Sequence, residues 1–276
     1  MTAFLEEMAA ASRERVRLAK QKRSSATLAG EARDVRAPSR LQLDASGFDL
    51  IAELKLRSPA AGPLSKQSDS VEGRVVAYAR AGAAAVSVLT EPSRFDGTLA
   101  HLKSAAGALA PLAVPAMRKD FLVDPYQVLE ARVAGAGGVL VILRLLPRDE
   151  LAALLDCASA LGLFVLLEAF DAHDIELMHE LLAAHRGANQ LLAGVNCRDL
   201  ATLAIVPQRL LDLAPLLPGN VPRVAESGVV SIADAARVAA AGYDLALVGS
   251  ALMQGKDPGA LAGQLLAAGR AARRQS

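Results

Sequence analysis

The chain of 276 residues contains no tryptophan, and aromatic residues make up only 3% of it. Its core must therefore be filled mainly by alanine, leucine and valine, small side chains that let helices pack closely on a sheet. Cysteine is scarce as well. Cys157 and Cys197 have neither metal-ligand spacing nor the density of a disulfide scaffold, which points to a reduced, cytoplasmic setting. No histidine ends an apolar segment: His101, His173, His179 and His185 fall in helix-like stretches and read as surface residues. Cys197 thus lacks the base that a nucleophilic thiol requires and reads as structural. The missing His and Cys clusters argue against a transition-metal site. A net charge of +1 exerts no general pull toward nucleic acid or an anionic membrane. The uncharged stretches 105–117 and 157–167 are too short to span a bilayer, and the first holds two prolines. Glu6 and Glu7 stand where a secretion signal would need its apolar core. These absences imply a soluble chain without nucleic-acid or membrane partners.

Hydrophobic residues reach 53% against 21% charged, enough for a sizeable core. The length suits a (β/α)8 barrel, which takes roughly 250 residues. In 3–36, Phe4, Leu5, Met8, Ala11, Val16 and Leu18 recur at approximately helical intervals among charged residues, predicting one or two amphipathic helices. Segment 36–47, with Pro38, reads as a link. From Asp49 a unit repeats. Short apolar segments at about 49–54, 83–89, 113–118, 138–143, 163–168, 191–196, 221–225 and 245–249 alternate with alanine-rich helical stretches such as 71–81, 125–136, 148–161 and 232–241. Asp124-Pro125 is an N-cap followed by proline, Ser231 with Asp234 resembles a capping box, and Gly82, Gly162 and Gly242 sit where helices should stop. Strands as uniformly apolar as Val139-Leu140-Val141-Ile142 are those of a parallel sheet covered on both faces. Eight units without a break in composition predict an α/β fold, a (β/α)8 TIM barrel. Residues 1–47 form an N-terminal helical extension and 48–276 the barrel, together a single domain. A doubly wound sheet fits less well, because Arg57-Ser58-Pro59-Ala60-Ala61-Gly62 is not its Gly-rich fingerprint.

In a barrel the C-terminal strand ends share one mouth. Those positions hold Glu53, Lys55 and Ser58; Thr90 and Glu91; Arg118, Lys119 and Asp120; Glu168; Asn196 and Arg198; Glu226 and Ser227; Gly249 and Ser250. Period-2 geometry puts Glu53 and Lys55 on one side of their strand, as a ligand-facing acid–base pair or as the charges of a solvated edge. One of Arg118 and Lys119 must point outward, and Asp120 could pair with either. Lys119 suits a general acid, although a plain surface lysine in a βα loop is the competing reading. Glu168 closes an apolar strand, so it is desolvated unless a cation accompanies it, which suits a general base. Ser227-Gly228 and Gly249-Ser250 follow the last two strands, where phosphate sites recur on this fold.

Assembled, these residues resemble the indole-3-glycerol phosphate synthase family. The resemblance rests on Ile51-Ala52-Glu53-Leu54-Lys55 with Ser58-Pro59, Leu89-Thr90-Glu91 with Phe95-Asp96-Gly97, Arg118-Lys119-Asp120-Phe121, and Asp124-Pro125-Tyr126-Gln127. It continues through Gly194-Val195-Asn196-Cys197-Arg198-Asp199-Leu200, Ala225-Glu226-Ser227-Gly228 and Val248-Gly249-Ser250-Ala251, covering essentially the whole chain. It implies a lyase of tryptophan biosynthesis acting on 1-(2-carboxyphenylamino)-1-deoxyribulose 5-phosphate by ring closure, decarboxylation and dehydration, with no cofactor and no metal. It further implies Lys119 as general acid, Glu168 as general base, Lys55 on the substrate carboxylate, and Glu53 and Asn196 as positioning groups. Glu226 would contact sugar hydroxyls, Phe121 would line the anthranilate pocket, and Ser227, Gly228, Gly249 and Ser250 would bind phosphate. Ser58 and Arg198 join them as substrate-binding candidates. Association with other tryptophan-pathway enzymes is left open. The chain departs from the family pattern at Ala60-Ala61, at Phe170 where a histidine is common, and at Gly137-Gly138 where Ala-Asp is more usual. A divergent paralogue acting on a related aminated sugar phosphate is the alternative that these departures allow.

Overall fold

The computed structural model describes residues 2–60, 62–64, 70–185, 190–255 and 257–274. Eight strands, β1 (Asp49–Leu54), β2 (Ala85–Leu89), β3 (Ala116–Lys119), β4 (Gly138–Ile142), β5 (Phe164–Ala169), β6 (Leu191–Asn196), β7 (Arg223–Glu226) and β8 (Leu245–Val248), form a closed barrel in that order. Every pairing is parallel, and β1 closes the ring by pairing with β8 (Ile51 opposite Leu247) as well as with β2 (Glu53 opposite Ser87). Helices occupy the connections, so both faces of each strand are covered and the strands are buried almost throughout. This is the (β/α)8 TIM barrel that the repeat predicts.

Three strands start two or more residues later than the apolar pattern suggests, β2 among them, at Ala85 rather than Ala83. Residues 110–112 form a turn of 3-10 helix and Ala113 is left-handed (φ 54°), so β3 begins only at Ala116. Pro222 has no N–H to give a ladder, and β7 begins after it at Arg223. The helix signals hold: Asp124 caps Pro125–Val133, and Ser231 with Asp234 forms a reciprocal capping box. Gly138 explains its own departure from the family pattern. It lies opposite Phe164 inside the barrel, where a Cβ would overlap that ring. The small residue makes room for the large one in a densely packed interior.

The N-terminal segment forms α1 (Ala3–Lys22) and α2 (Ser25–Asp34). Leu5, Met8, Ala9, Ser12 and Val16 are the buried stripe of α1, at the spacing of one helix face. That face lies on the loop after β3. The Ser12 hydroxyl donates to the Phe121 carbonyl (2.5 Å), Arg15 reaches Asp120 (2.9 Å), and Lys20 reaches Asp124 (2.6 Å). The extension is therefore part of the wall around the mouth. No helix among the described residues is long and apolar enough to cross a membrane.

Candidate active site

The C-terminal ends of the strands enclose a cavity of about 480 Å³. Lys119 ends β3 and points inward. Its Nζ lies 3.3 Å from Glu168 Oε2 on β5 and 3.4 Å from Glu226 Oε2 on β7. Glu168 accepts from the Asn196 amide at 2.8 Å, and Asn196 Oδ1 accepts the Arg198 backbone N–H at 2.9 Å. Just past the end of β1, Lys55 pairs with Glu53 at 2.7 Å. The edge-strand alternative for this pair is excluded, since β1 has a neighbour on each side.

Arg118 takes the outward position. It bonds Thr90 Oγ1 (3.1 Å), the Gln127 carbonyl (2.8 Å), Glu130 (3.1 Å) and Asp120 (3.1 Å), all outside the cluster around Lys119. Asp120 also accepts from Thr90, from Arg15 and from the Phe121 N–H, so it ties α1 to the rim. Glu91 is an N-cap: it accepts the Ser93 and Arg94 N–H groups. Thr90, Glu91, Arg118 and Asp120 are thus scaffold, although Asp120 also reaches the cavity. The other predicted residues line the cavity together: Glu53, Lys55, Ser58, Lys119, Phe121, Glu168, Asn196, Arg198, Glu226, Ser227, Gly228, Gly249 and Ser250. Arg198 is steadied by donating to the Leu203 carbonyl at 2.7 Å. Ser227 and Gly228 are consecutive left-handed residues (φ 65° and 71°), the sort of turn whose successive N–H groups cradle an anion. Ala60 lines the cavity, whereas Ala61 lies outside the described residues.

Two histidines differ from their surface assignment: His101 and His185 are half-buried, the latter capping Ala172–Ala184. Cys197 is fully buried, and burial pushes its thiol up to about 11, in keeping with a structural role. Phe170 sits beneath the Arg144 guanidinium, 4.7 Å from carbon to ring centroid, and Arg144 is held by Asp171 and Asp174.

Three contributors escaped the sequence reading, Phe4, Phe95 and Gly194, and Gly249 has a role beyond the one predicted for it. Phe4 and Phe95 pack on Phe121 at centroid distances of 5.9 and 6.3 Å, building an aromatic floor from three separate segments. Gly194 and Gly249 make space for carboxylates: a Cβ at Gly194 would overlap Glu226 Oε1, and one at Gly249 would overlap Glu53 Oε1. A glycine inside the apolar run Leu191-Leu192-Ala193-Gly194-Val195 was the available signal, since glycine within a strand marks a close approach.

Glu53, Glu168 and Glu226 are only 3%, 2% and 1% exposed, so their charges must be compensated locally. Burial pushes Glu53 up, but Lys55, Lys119 and Arg198 outweigh it and hold the carboxyl below its ordinary range. Burial pulls Lys119 down, yet Glu168, Glu226 and Glu53 outweigh that and raise it above an ordinary lysine. For Glu226, burial and repulsion from Glu168 win over the attraction of Lys119 and push it up to about 8. The asymmetry has a simple origin. Glu168 and Glu226 share one ammonium, whereas Glu53 has its own.

A (β/α)8 barrel whose mouth combines a lysine–glutamate cluster with two Ser/Gly loops is an acid–base enzyme for a small anionic substrate. The family model for indole-3-glycerol phosphate synthase matches residues 5–265. Indole-3-glycerol phosphate synthase from a Nocardioides species is 45% identical over 214 residues, covering 78% of each chain. That from a Parafrankia species is 42% identical over 227 residues, covering 82% of this chain and 81% of the relative. The chain belongs to the indole-3-glycerol phosphate synthase family. Among solved structures, thiamine phosphate pyrophosphorylase from Pyrococcus furiosus superposes with a TM-score of 0.59 at 15% identity, covering 83% of this chain and 99% of that one. The 3-hexulose-6-phosphate synthase from Salmonella typhimurium gives 0.58 at 16%, covering 82% and 99%. At these identities the two structures speak for the barrel alone.

Proposed function

We propose that the chain is an indole-3-glycerol phosphate synthase that acts in the cytoplasm on 1-(2-carboxyphenylamino)-1-deoxyribulose 5-phosphate. The observation that carries this reading is Lys119 held between Glu168 and Glu226, with the Lys55–Glu53 pair beside it and the Ser227-Gly228 and Gly249-Ser250 loops lining the same cavity. A substrate anionic at both ends needs cations at one end and backbone donors at the other, and the cavity offers both.

Lys55 holds the substrate carboxylate, the phosphate sits on Ser227, Gly228, Gly249 and Ser250, and the aromatic ring lies against Phe121. Ser58 and Arg198 complete the binding surface. The ring carbon bearing the carboxylate attacks the ribulose carbonyl carbon, while Lys119 gives a proton to the carbonyl oxygen. Electrons from the nitrogen leave an iminium, which takes up the carbon–carbon pair when CO2 departs. Glu168 then removes a proton from the neighbouring carbon while Lys55 gives one to the departing hydroxyl, which leaves as water, and the indole ring results. Asn196 keeps Glu168 oriented through its 2.8 Å bond. Glu53 positions Lys55.

A phosphoribosylanthranilate isomerase would call for a Cys/Asp acid–base pair, and Cys197 does not line the cavity. A non-catalytic phosphosugar-binding barrel would need the two loops but not the buried Lys119 cluster. Incubating the protein with the carboxyphenylamino-deoxyribulose phosphate tests the reading. Growth of indole fluorescence supports it, and correctly folded protein that forms no such product rejects it.

A further inference from the structure

Glu226 is the member of the cluster whose charge the structure leaves unmatched. It ends β7 at 1% exposure, with one carboxylate oxygen 3.4 Å from Lys119 Nζ. The other oxygen, Oε1, is buried with no hydrogen-bond partner among the described residues and lies in the space kept by Gly194. The charged and amide groups that line the cavity with it are Glu53 and Lys55 at the end of β1, Lys119 and Asp120 at the end of β3, Glu168 on β5, Asn196 and Arg198 at the end of β6, and Asp234. Lys55 is committed to Glu53, the Asn196 amide to Glu168, and one Arg198 nitrogen to the Leu203 carbonyl. Two buried carboxylates therefore divide one ammonium. Keeping both ionised would strand a buried negative charge, which is costly.

The proposed reaction has a matching need. Ring closure turns a carbonyl oxygen into a hydroxyl, consuming one proton. Dehydration takes a proton from carbon and gives one to the leaving hydroxyl, so it is neutral. Because the carboxylate leaves as CO2, each turnover draws one proton from the protein. Lys119 alone is a poor source, since the carboxylates around it strengthen its hold on the proton.

We propose that Glu226 enters the cycle as a neutral carboxylic acid and replaces, on Lys119, the proton that Lys119 gives to the substrate carbonyl. One Nζ–H bond breaks as the substrate O–H bond forms. The Glu226 O–H bond breaks as a new Nζ–H bond forms, leaving an ammonium flanked by two carboxylates. Solvent returns a proton to Glu226 before the next turnover. This role rests on the synthase reading, and the raised affinity of Glu226 for its proton, with a midpoint of about 8, agrees with it. A proton source works best when its midpoint lies near the working pH.

Infrared difference spectra of the free protein across pH 8, together with steady-state kinetics, test the proposal on wild type, Glu226→Gln and Glu226→Asp. A carboxylic-acid C=O band should vanish from wild type as the pH rises through that value, and Glu226→Gln should lack the band. Glu226→Gln should lose about 100-fold or more in kcat with KM within about threefold, a loss in the usual range for a missing acid–base group. Wild-type kcat/KM should fall as the acid form disappears above that pH, and the variant should show no such limb. Glu226→Asp should keep a titrating band and part of the rate. A role confined to packing would move stability and KM but leave the alkaline limb in place, which overturns the proposal. So does a wild type with no band titrating there, or a Glu226→Gln enzyme of near-wild-type kcat. Wild type that shows the band yet forms no indole would sink the synthase reading, and this relay with it.

Discussion

Replacing Lys119 with methionine separates its chemical role from its structural one. The side chain stays unbranched, one atom shorter, and loses its charge, leaving Glu168 and Glu226 buried at 2% and 1% exposure without their ammonium, which stands 3.3 and 3.4 Å away in the wild type. Removing one partner of a buried ion pair costs about 3–5 kcal/mol. At about 2 °C per kcal/mol for a chain of this size, Tm should fall by roughly 6–10 °C. The loss depends on pH in a defined direction. Glu226 already binds its proton more tightly in the folded protein than in the unfolded chain, and without Lys119 it holds that proton more tightly still. Stability then falls as pH rises, so the deficit is small near the ordinary carboxylate range and grows as the pH climbs through 8. The loss of kcat, about 10²- to 10⁴-fold for a missing general acid, should persist at every pH. Thermal unfolding followed by circular dichroism over a pH series, beside kcat from indole fluorescence, reads both effects. A destabilisation that does not grow with pH would refute Lys119 as the compensating cation. A kcat within about threefold of wild type would refute it as the proton donor.

Gly194→Ala inserts a methyl against Glu226 Oε1, with Leu166 Cδ1 at 2.9 Å and the Leu167 carbonyl at 3.2 Å limiting its escape. It should cost about 1–3 kcal/mol in thermal or urea unfolding and lower kcat by about tenfold, because the carboxylate is displaced from Lys119. Unchanged stability and rate would mean that Glu226 does not depend on this space. Gly228→Ala places a side chain on a left-handed residue (φ 71°), 2.7 Å from Cys197 Sγ, and distorts the loop proposed to hold phosphate. KM should rise about tenfold while kcat stays within about twofold, and competition by inorganic phosphate should weaken. A kcat loss without a KM change would place the loop in the chemistry instead.

The strands and most of the mouth were legible because parallel barrel strands are apolar runs ended by polar residues, a pattern that survives without tertiary information. The choice between Arg118 and Lys119 was not. Adjacent cations on one strand face opposite ways, and only the partners decide: the Gln127 carbonyl and Glu130 on the following helix take Arg118. The amphipathic stripe of α1 could be read from spacing, but its docking on Phe121 and Asp120, more than a hundred residues away, could not. Nor could the aromatic floor of Phe4, Phe95 and Phe121, whose members come from three elements. Glu91 looked like a site carboxylate because strand-end position alone cannot tell an N-cap from a ligand-facing group; its bonds to Ser93 and Arg94 do so. Phe170 departs from the family pattern and is accounted for locally by the Arg144 guanidinium stacked on it.

The most direct test of the account uses substrate isotopically labelled in its carboxyl carbon. Wild-type protein should release labelled CO2 in equal amount to the indole product, and Lys119→Met should abolish both together. Label retained in the product, or no product from folded wild-type protein, would contradict the assignment of this cavity to ring closure with decarboxylation.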